Sequence, residues 1–172
     1  MTFQTLFSYC PKCGSRHFVF NNEKSKCCAD CGFVYYLNPS AAVAAFIMND
    51  KGELLVCTRA KEPAKGTFDL PGGFCDFDET AEQALHREIN EELGVNIISE
   101  KYLFSLPNKY EYCGLTVPTI DLFYLCQIDT PDKIKPSDDV AYAEFMPFDA
   151  INSEKFGLIS VKNAMEKFTI DN

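Results

Sequence analysis

The sequence predicts an α/β fold, a mixed sheet covered by helices, with a small zinc ribbon in front of it. Three observations carry this. Two Cys-x-x-Cys pairs, Cys10/Cys13 and Cys28/Cys31, stand near the N-terminus. Beyond them, apolar runs of strand length are interspersed with two stretches of helical pattern. The first of those stretches carries both a start and a stop signal. Strands mixed with a few helices pack in layers, each helix burying its apolar stripe on the sheet. The expected division is a ribbon over residues 1–38 and the α/β domain over 39–172.

The ribbon reads as two short turns, each a Cys-x-x-Cys followed by Gly, joined by a small hairpin and closed by Leu37-Asn-Pro-Ser40. Fourteen residues separate the pairs. Two such pairs suit tetrahedral Cys₄ zinc, and four thiolates leave no open position, so this Zn²⁺ is structural. Cys27 competes with Cys28 as a ligand, but Cys28 keeps the two-residue spacing. His17 reads as an ordinary hairpin residue.

Ala41–Met48 is a buried strand, Asn49–Gly52 a hairpin turn and Glu53–Arg59 the returning strand. A loop over Ala60–Gly66 leads to a short strand, Thr67–Leu70, and then Pro71-Gly72-Gly73. A helix covers Ala81–Leu93: Thr80 with Gln83 makes a capping box, and Gly94 stops it. Strands follow near Val95–Phe104 and Thr119–Gln127, with an aromatic loop, Leu106–Cys113, between them. A strand near Ala141–Pro147 and a helix near Ile159–Phe168 complete the chain.

Composition narrows the classes. The chain has 172 residues, 47% hydrophobic and 24% charged, as in ordinary globular proteins. No apolar run approaches the ~20 residues that span a bilayer. No basic region followed by an apolar stretch opens the chain, so a cytoplasmic protein without a membrane partner is expected. The formal net charge of −9, with no Lys/Arg cluster, argues against nucleic acid as a partner. Of nine cysteines, five lie between Cys10 and Cys31, and the scattered remainder read as small buried apolar residues.

The acid-rich segment from Gly73 to Val95 carries the chemistry. At ~100° per residue, Glu88, Glu91 and Glu92 fall within one arc of a helix, beside an apolar stripe of Leu85, Ile89 and Leu93. Ala81 and Ala84 fall on the glutamate face and are small, leaving room for a loop or ligand. Carboxylates this close repel unless cations lie between them, and hard oxygen donors suit Mg²⁺ or Mn²⁺. Arg87 can pair with a neighbouring glutamate and orient it.

Gly73, Glu79, Arg87, Glu88, Ile89, Glu91, Glu92, Gly94 and Val95 match G-x5-E-x7-R-E-U-x-E-E-x-G-U, where U is aliphatic, at every fixed position. In this the chain resembles the Nudix hydrolases. The resemblance implies an α/β/α sandwich and a loop–helix–loop metal site. Glu88, Glu91 and Glu92 would be ligands with a backbone carbonyl of Gly72 or Gly73, and Glu79 a more distant or water-mediated one. A base often lies outside this box in the family. Ala143-Glu144-Phe145 resembles the segment that supplies it, and Asp139 is the nearest match to an extra metal-binding acid; the choice between Glu144 and Asp139 stays open.

A ribbon ending in Asn38-Pro39 directly before such a domain resembles two groups: the NADH pyrophosphatases and the shorter zinc-ribbon enzymes associated with ADP-ribose and FAD. Where the NADH group has Ser-Gln-Pro-Trp-Pro-Phe-Pro, this chain has Ser105-Leu-Pro107-Asn-Lys-Tyr110-Glu-Tyr112, keeping only Ser105 and Pro107. Tyr110 and Tyr112 could stack on a planar ring, and Arg59 and Lys109 could reach phosphate. The expected activity is Mg²⁺-dependent cleavage of a diphosphate in ADP-ribose, NADH or FAD, giving AMP and a second monophosphate. The alternatives are a non-catalytic binding module for protein or nucleic acid and, more distantly, an isomerase of a prenyl diphosphate. The resemblance also allows a homodimer.

Overall fold

The computed structural model describes residues 6–171. The N-terminal unit is a three-stranded antiparallel sheet of β1 (Phe18–Asn22), β2 (Ser25–Cys28) and β3 (Val34–Tyr36). Its small core is Cys10, Phe18 and Cys28, with Phe33 and Tyr35 packed against them. Buried Lys26 hydrogen-bonds to the carbonyls of Leu6 and Phe7, fastening the incoming chain to β2.

Two sheets build the larger unit. One is mixed, ordered β7 (Gly72–Phe74), β4 (Ser40–Ile47), β9 (Leu115–Ile128), β8 (Ile97–Tyr112), with β4 parallel to β9 and the other pairs antiparallel. The other is antiparallel, ordered β10 (Val140–Met146), β5 (Leu54–Arg59), β6 (Phe68–Asp69). Helices α1 (Ala81–Leu93) and α2 (Ile159–Asp171) cover opposite faces. Alternation along β4 divides the core: Val43, Ala45 and Ile47 pack with Leu85, Ile89 and Leu93 of α1, whereas Ala44 and Phe46 pack with Val161, Met165 and Phe168 of α2. Phe46 and Phe168 stack with ring centroids 4.2 Å apart.

Three local expectations are corrected. The Asn49–Gly52 turn forms, with the Gly52 N–H on the Asn49 carbonyl, but it is no ordinary hairpin. After a single bridge, Met48 to Leu54, β4 and β5 part into different sheets. The aromatic segment 106–113 is strand as far as Tyr112, so β8 and β9 make one long hairpin. Pro107 is tolerated because β8 is an edge, and Pro118 because β4 pairs with β9 only from Thr119 onward. Ala84 leaves no room for a ligand: it is fully buried in the core, and Ala81 packs against it. Helix α1 begins and ends as its caps predict, with the reciprocal Thr80–Gln83 bonds and Gly94 left-handed. Among the described residues no helix is long and apolar enough to cross a membrane.

Candidate active site

The site is built where β7 runs against α1. Gly72 and Gly73 are required there. A Cβ on Gly72, whose φ is +146°, would meet the Val43 carbonyl oxygen at 2.1 Å, and one on Gly73 would meet the Glu88 carboxylate at 2.5 Å. The glycines thus let backbone lie directly against the acids of the helix. The Gly72 N–H donates to Glu92 Oε2 at 2.9 Å. Glu92 is only 3% exposed, and burial pushes its pKa up to about 9, with Glu88, Asp69 and Asp139 adding negative potential. Burial also raises Glu88, against the opposing pull of Arg87.

Arg87 holds more than one neighbour. Its guanidinium donates to Glu79 at 2.7 Å, Glu88 at 2.8 Å, Glu91 at 3.1 Å and the Phe74 carbonyl at 3.0 Å. These bonds keep Glu79 below its ordinary pKa. Glu91 is the outermost of the three helix acids, its side chain half exposed. Glu92 and Glu88 are oxygen donors of the kind a divalent cation takes. Among the described residues, however, the carboxylates of Glu88, Glu91 and Glu92 do not converge on one point as the four thiols do: Glu88 and Glu91 turn to Arg87, and Glu92 turns to the Gly72 N–H.

Beside Glu92 a small cavity of about 20 Å³ is lined by Arg59, Asp69, Gly72 and Asp139. It shares those residues with a larger one, about 90 Å³, on the α2 side of the mixed sheet. Arg59 is buried, hydrogen-bonded to Asp69 and, through Nε, to the Pro63 carbonyl at 2.7 Å. Burial raises the Asp69 pKa to about 6, and Arg59 works in the opposite direction. Asp139 pairs with Lys61 at 2.7 Å. Tyr110 lines the larger cavity, edge-to-face with Phe74 at 5.2 Å between centroids.

The other sequence candidates lie apart. Glu144 is exposed on β10, with the Tyr142 hydroxyl 3.5 Å away, and lines neither cavity. Ser105 and Lys109 alternate with Asn108 and Tyr110, so they face away from the larger cavity. Tyr112 is 62% exposed near the hairpin tip. Sequence reasoning missed a buried polar group instead: Asp69, Asn108, Thr119, Asp121 and Ser160. Asp121 had one local signal, an acid inside the apolar run Ile120-Asp-Leu-Phe-Tyr124, where burial demands partners.

In the N-terminal unit the Sγ atoms of Cys10, Cys13, Cys28 and Cys31 lie within 4.8 Å of one another, with Cys10–Cys31 at 3.8 Å and Cys13–Cys28 at 3.6 Å. Zn–S bonds of about 2.3 Å in a tetrahedron place sulfurs about 3.8 Å apart, so the set fits zinc. The two turns match each other: the Gly14 N–H bonds to the Cys10 carbonyl and the Gly32 N–H to the Cys28 carbonyl, both glycines left-handed.

The family model of the NUDIX domain matches residues 38–168. The chain belongs to the Nudix family. An ADP-ribose pyrophosphatase of Methanocaldococcus jannaschii is 37% identical over 122 residues, covering 70% of this Nudix chain and 68% of the relative. The NAD-capped RNA hydrolase NudC of Chromobacterium violaceum is 27% identical over 143 residues, covering 83% of this chain and 51% of that one. The chain thus spans about half the length of that relative. Among solved structures, a NUDIX hydrolase from Nitrosomonas europaea superposes with a TM-score of 0.73 at 18% identity, covering 96% of this chain and 92% of the other. That likeness is one of fold.

Proposed function

We propose that this Nudix protein hydrolyses the P–O–P bond of a nucleoside diphosphate derivative, with ADP-ribose, NADH and FAD as the substrate class, releasing AMP and a second monophosphate. The observation that carries the reading is Glu92, a carboxylate buried against the Gly72 N–H with Glu88 beside it. Glu88, Glu91 and Glu92, with a carbonyl of Gly72 or Gly73 and with Glu79 more remotely, would hold Mg²⁺ or Mn²⁺. Such an ion neutralises diphosphate charge and acidifies water when bound. Asp139 is the better placed of the two candidate bases, because it lines the cavity that Glu92 lines and Glu144 does not. Arg59, at the junction of both cavities, suits a phosphate oxygen. Arg87 orients the glutamates, and the cysteine set would hold a structural Zn²⁺.

The M. jannaschii relative favours ADP-ribose, and a fold neighbour, the NUDIX domain of Shewanella oneidensis NrtR, was solved complexed with ADP ribose. NudC is named for an RNA substrate, so the net charge of −9 does not by itself exclude nucleic acid. The test is incubation with Mg²⁺ and ADP-ribose, NADH, FAD, an NAD-capped RNA, diadenosine polyphosphates or nucleoside triphosphates, with AMP as the readout. Release of AMP from a diphosphate-linked compound is expected. If nothing turns over, the non-catalytic binding module gains. Glu92→Gln or Glu88→Gln should lower kcat by about 100-fold or more with the fold intact. Near-normal turnover in either variant would contradict the ligand assignment.

A further inference from the structure

We infer that the cavity on the α2 side of the mixed sheet is a specificity pocket for a ring that carries an exocyclic amino group beside a ring-nitrogen acceptor, the edge that adenine presents, and that Asp121 and Asn108 read that edge. The inference deepens the proposed function and rests on it for the position of the diphosphate.

The pocket is mostly apolar, but buried polar side chains, Asn108, Thr119 and Asp121, stand in its wall, with Ser160 behind them. Asn108, Thr119, Asp121 and Ser160 are all 7% exposed or less. Polar groups so deep are costly unless paired, and Asp121 gathers the pairs. Its Oδ2 accepts from Asn108 Nδ2 at 3.0 Å and from the Ser160 hydroxyl, and its Oδ1 accepts from Thr119 at 2.6 Å. The Asn108 amide is fixed by its other end: Oδ1 accepts the Lys109 N–H at 2.8 Å, so Nδ2 must turn to the carboxylate. One of the two Nδ2 hydrogens serves Asp121, and a carboxylate has about four acceptor sites, of which three are used. Asn108 and Asp121 both line the cavity, so it offers a donor next to an acceptor.

A 6-aminopurine complements that pair. Its amino group donates to Asp121, and its adjacent ring nitrogen accepts from the Asn108 amide. A 6-oxopurine reverses both: its oxygen meets the carboxylate, and its ring N–H meets the amide N–H. Phe74 and Tyr110 supply aromatic surface at the same cavity. At about 90 Å³ the space takes the edge of a ring rather than a whole nucleoside. Arg59 and Gly72 line both cavities, so a ring seated here has its phosphates directed toward Glu92.

Calorimetric titration of the full chain with AMP and with IMP, in Mg²⁺ buffer, tests this. AMP should bind about 10- to 100-fold more tightly, the discrimination expected of a reversed donor–acceptor pair next to a charged group. An asparagine at position 121 can turn either its oxygen or its nitrogen to the ring, so Asp121→Asn should bring the ratio to within about threefold. A merely structural role for Asp121 would weaken AMP and IMP alike and leave the ratio unchanged, which overturns the assignment. Equal binding of AMP and IMP by the wild type, or binding of neither, overturns it whether or not the variant folds. Should AMP be preferred while ADP-ribose stays intact, the pocket stands and the proposed reaction falls.

Discussion

A Cβ placed on Gly73 lies 2.5 Å from Glu88 Cδ and Oε1, and the contact is with a carboxylate already held by Arg87. Gly73→Ala must therefore push Glu88 away from Glu92 or lift β7 off the helix. Displacements of about 1 Å at a reacting centre cost roughly 100-fold. The variant should lose that much in kcat/KM while its unfolding midpoint in urea moves little; unchanged kinetics would show that Glu88 has no fixed place in the reaction. At this scale the sequence was most legible where the residues are close in the chain. Arg87, Glu88, Glu91 and Glu92 share one helix, so helical geometry predicts that they lie on one side of it, and the family resemblance adds Glu79 from the preceding loop, which Arg87 does hold. Asn108 and Asp121 meet only because β8 and β9 pair in one register, with Asn108 opposite Thr119. No local pattern announces that contact.

Elements were read well where their ends are chemically marked. The Thr80 side chain accepts the Gln83 N–H and the Gln83 side chain accepts the Thr80 N–H, as the capping box requires. Thr80→Ala should cost about 1 kcal/mol, measurable as a lower urea midpoint at constant slope. The segment expected as a loop, Leu106–Cys113, is strand of the β8–β9 hairpin as far as Tyr112, and its Pro107 is compatible with a strand only at the edge position that the assembled sheet provides. The end of that hairpin gives a pH prediction. Asp129 accepts from both the backbone and the side chain of Asn96, which lowers its pKa to about 2 from an ordinary value of 3.8. A lowered carboxylate stabilises the folded state above its unfolded pKa and ceases to do so as pH falls through the folded one. Asp129→Asn should therefore melt below the wild type at pH 7, with the gap closing between about pH 4 and pH 2. The carboxylate is fully exposed, so the gap should be small and shrink further in salt. A gap that widens in acid would refute the assignment.

At the scale of the molecule the core is divided, and the division has a measurable consequence. The two clusters around β4 share residues with α1 and α2, while the cluster of Cys10, Phe18 and Cys28 shares none with either. Among the described residues the ribbon's core has three buried apolar side chains, two of them thiols, too few to offset the entropy of ordering it, so the proposed zinc ion at the four sulfurs would have to supply its stability. Purified protein should carry about one zinc per chain by elemental analysis. A strong chelator should then remove it and unfold the ribbon alone. The readout is tyrosine emission, because the chain has no Trp and the ribbon holds Tyr9, Tyr35 and Tyr36. Emission should change on chelation while the far-UV signal of α1 and α2 and their later cooperative unfolding persist. If zinc removal collapses both signals in one step, the ribbon and the Nudix core fold as a single unit. If zinc is present but its removal changes neither signal, the sulfurs are not what holds the ribbon.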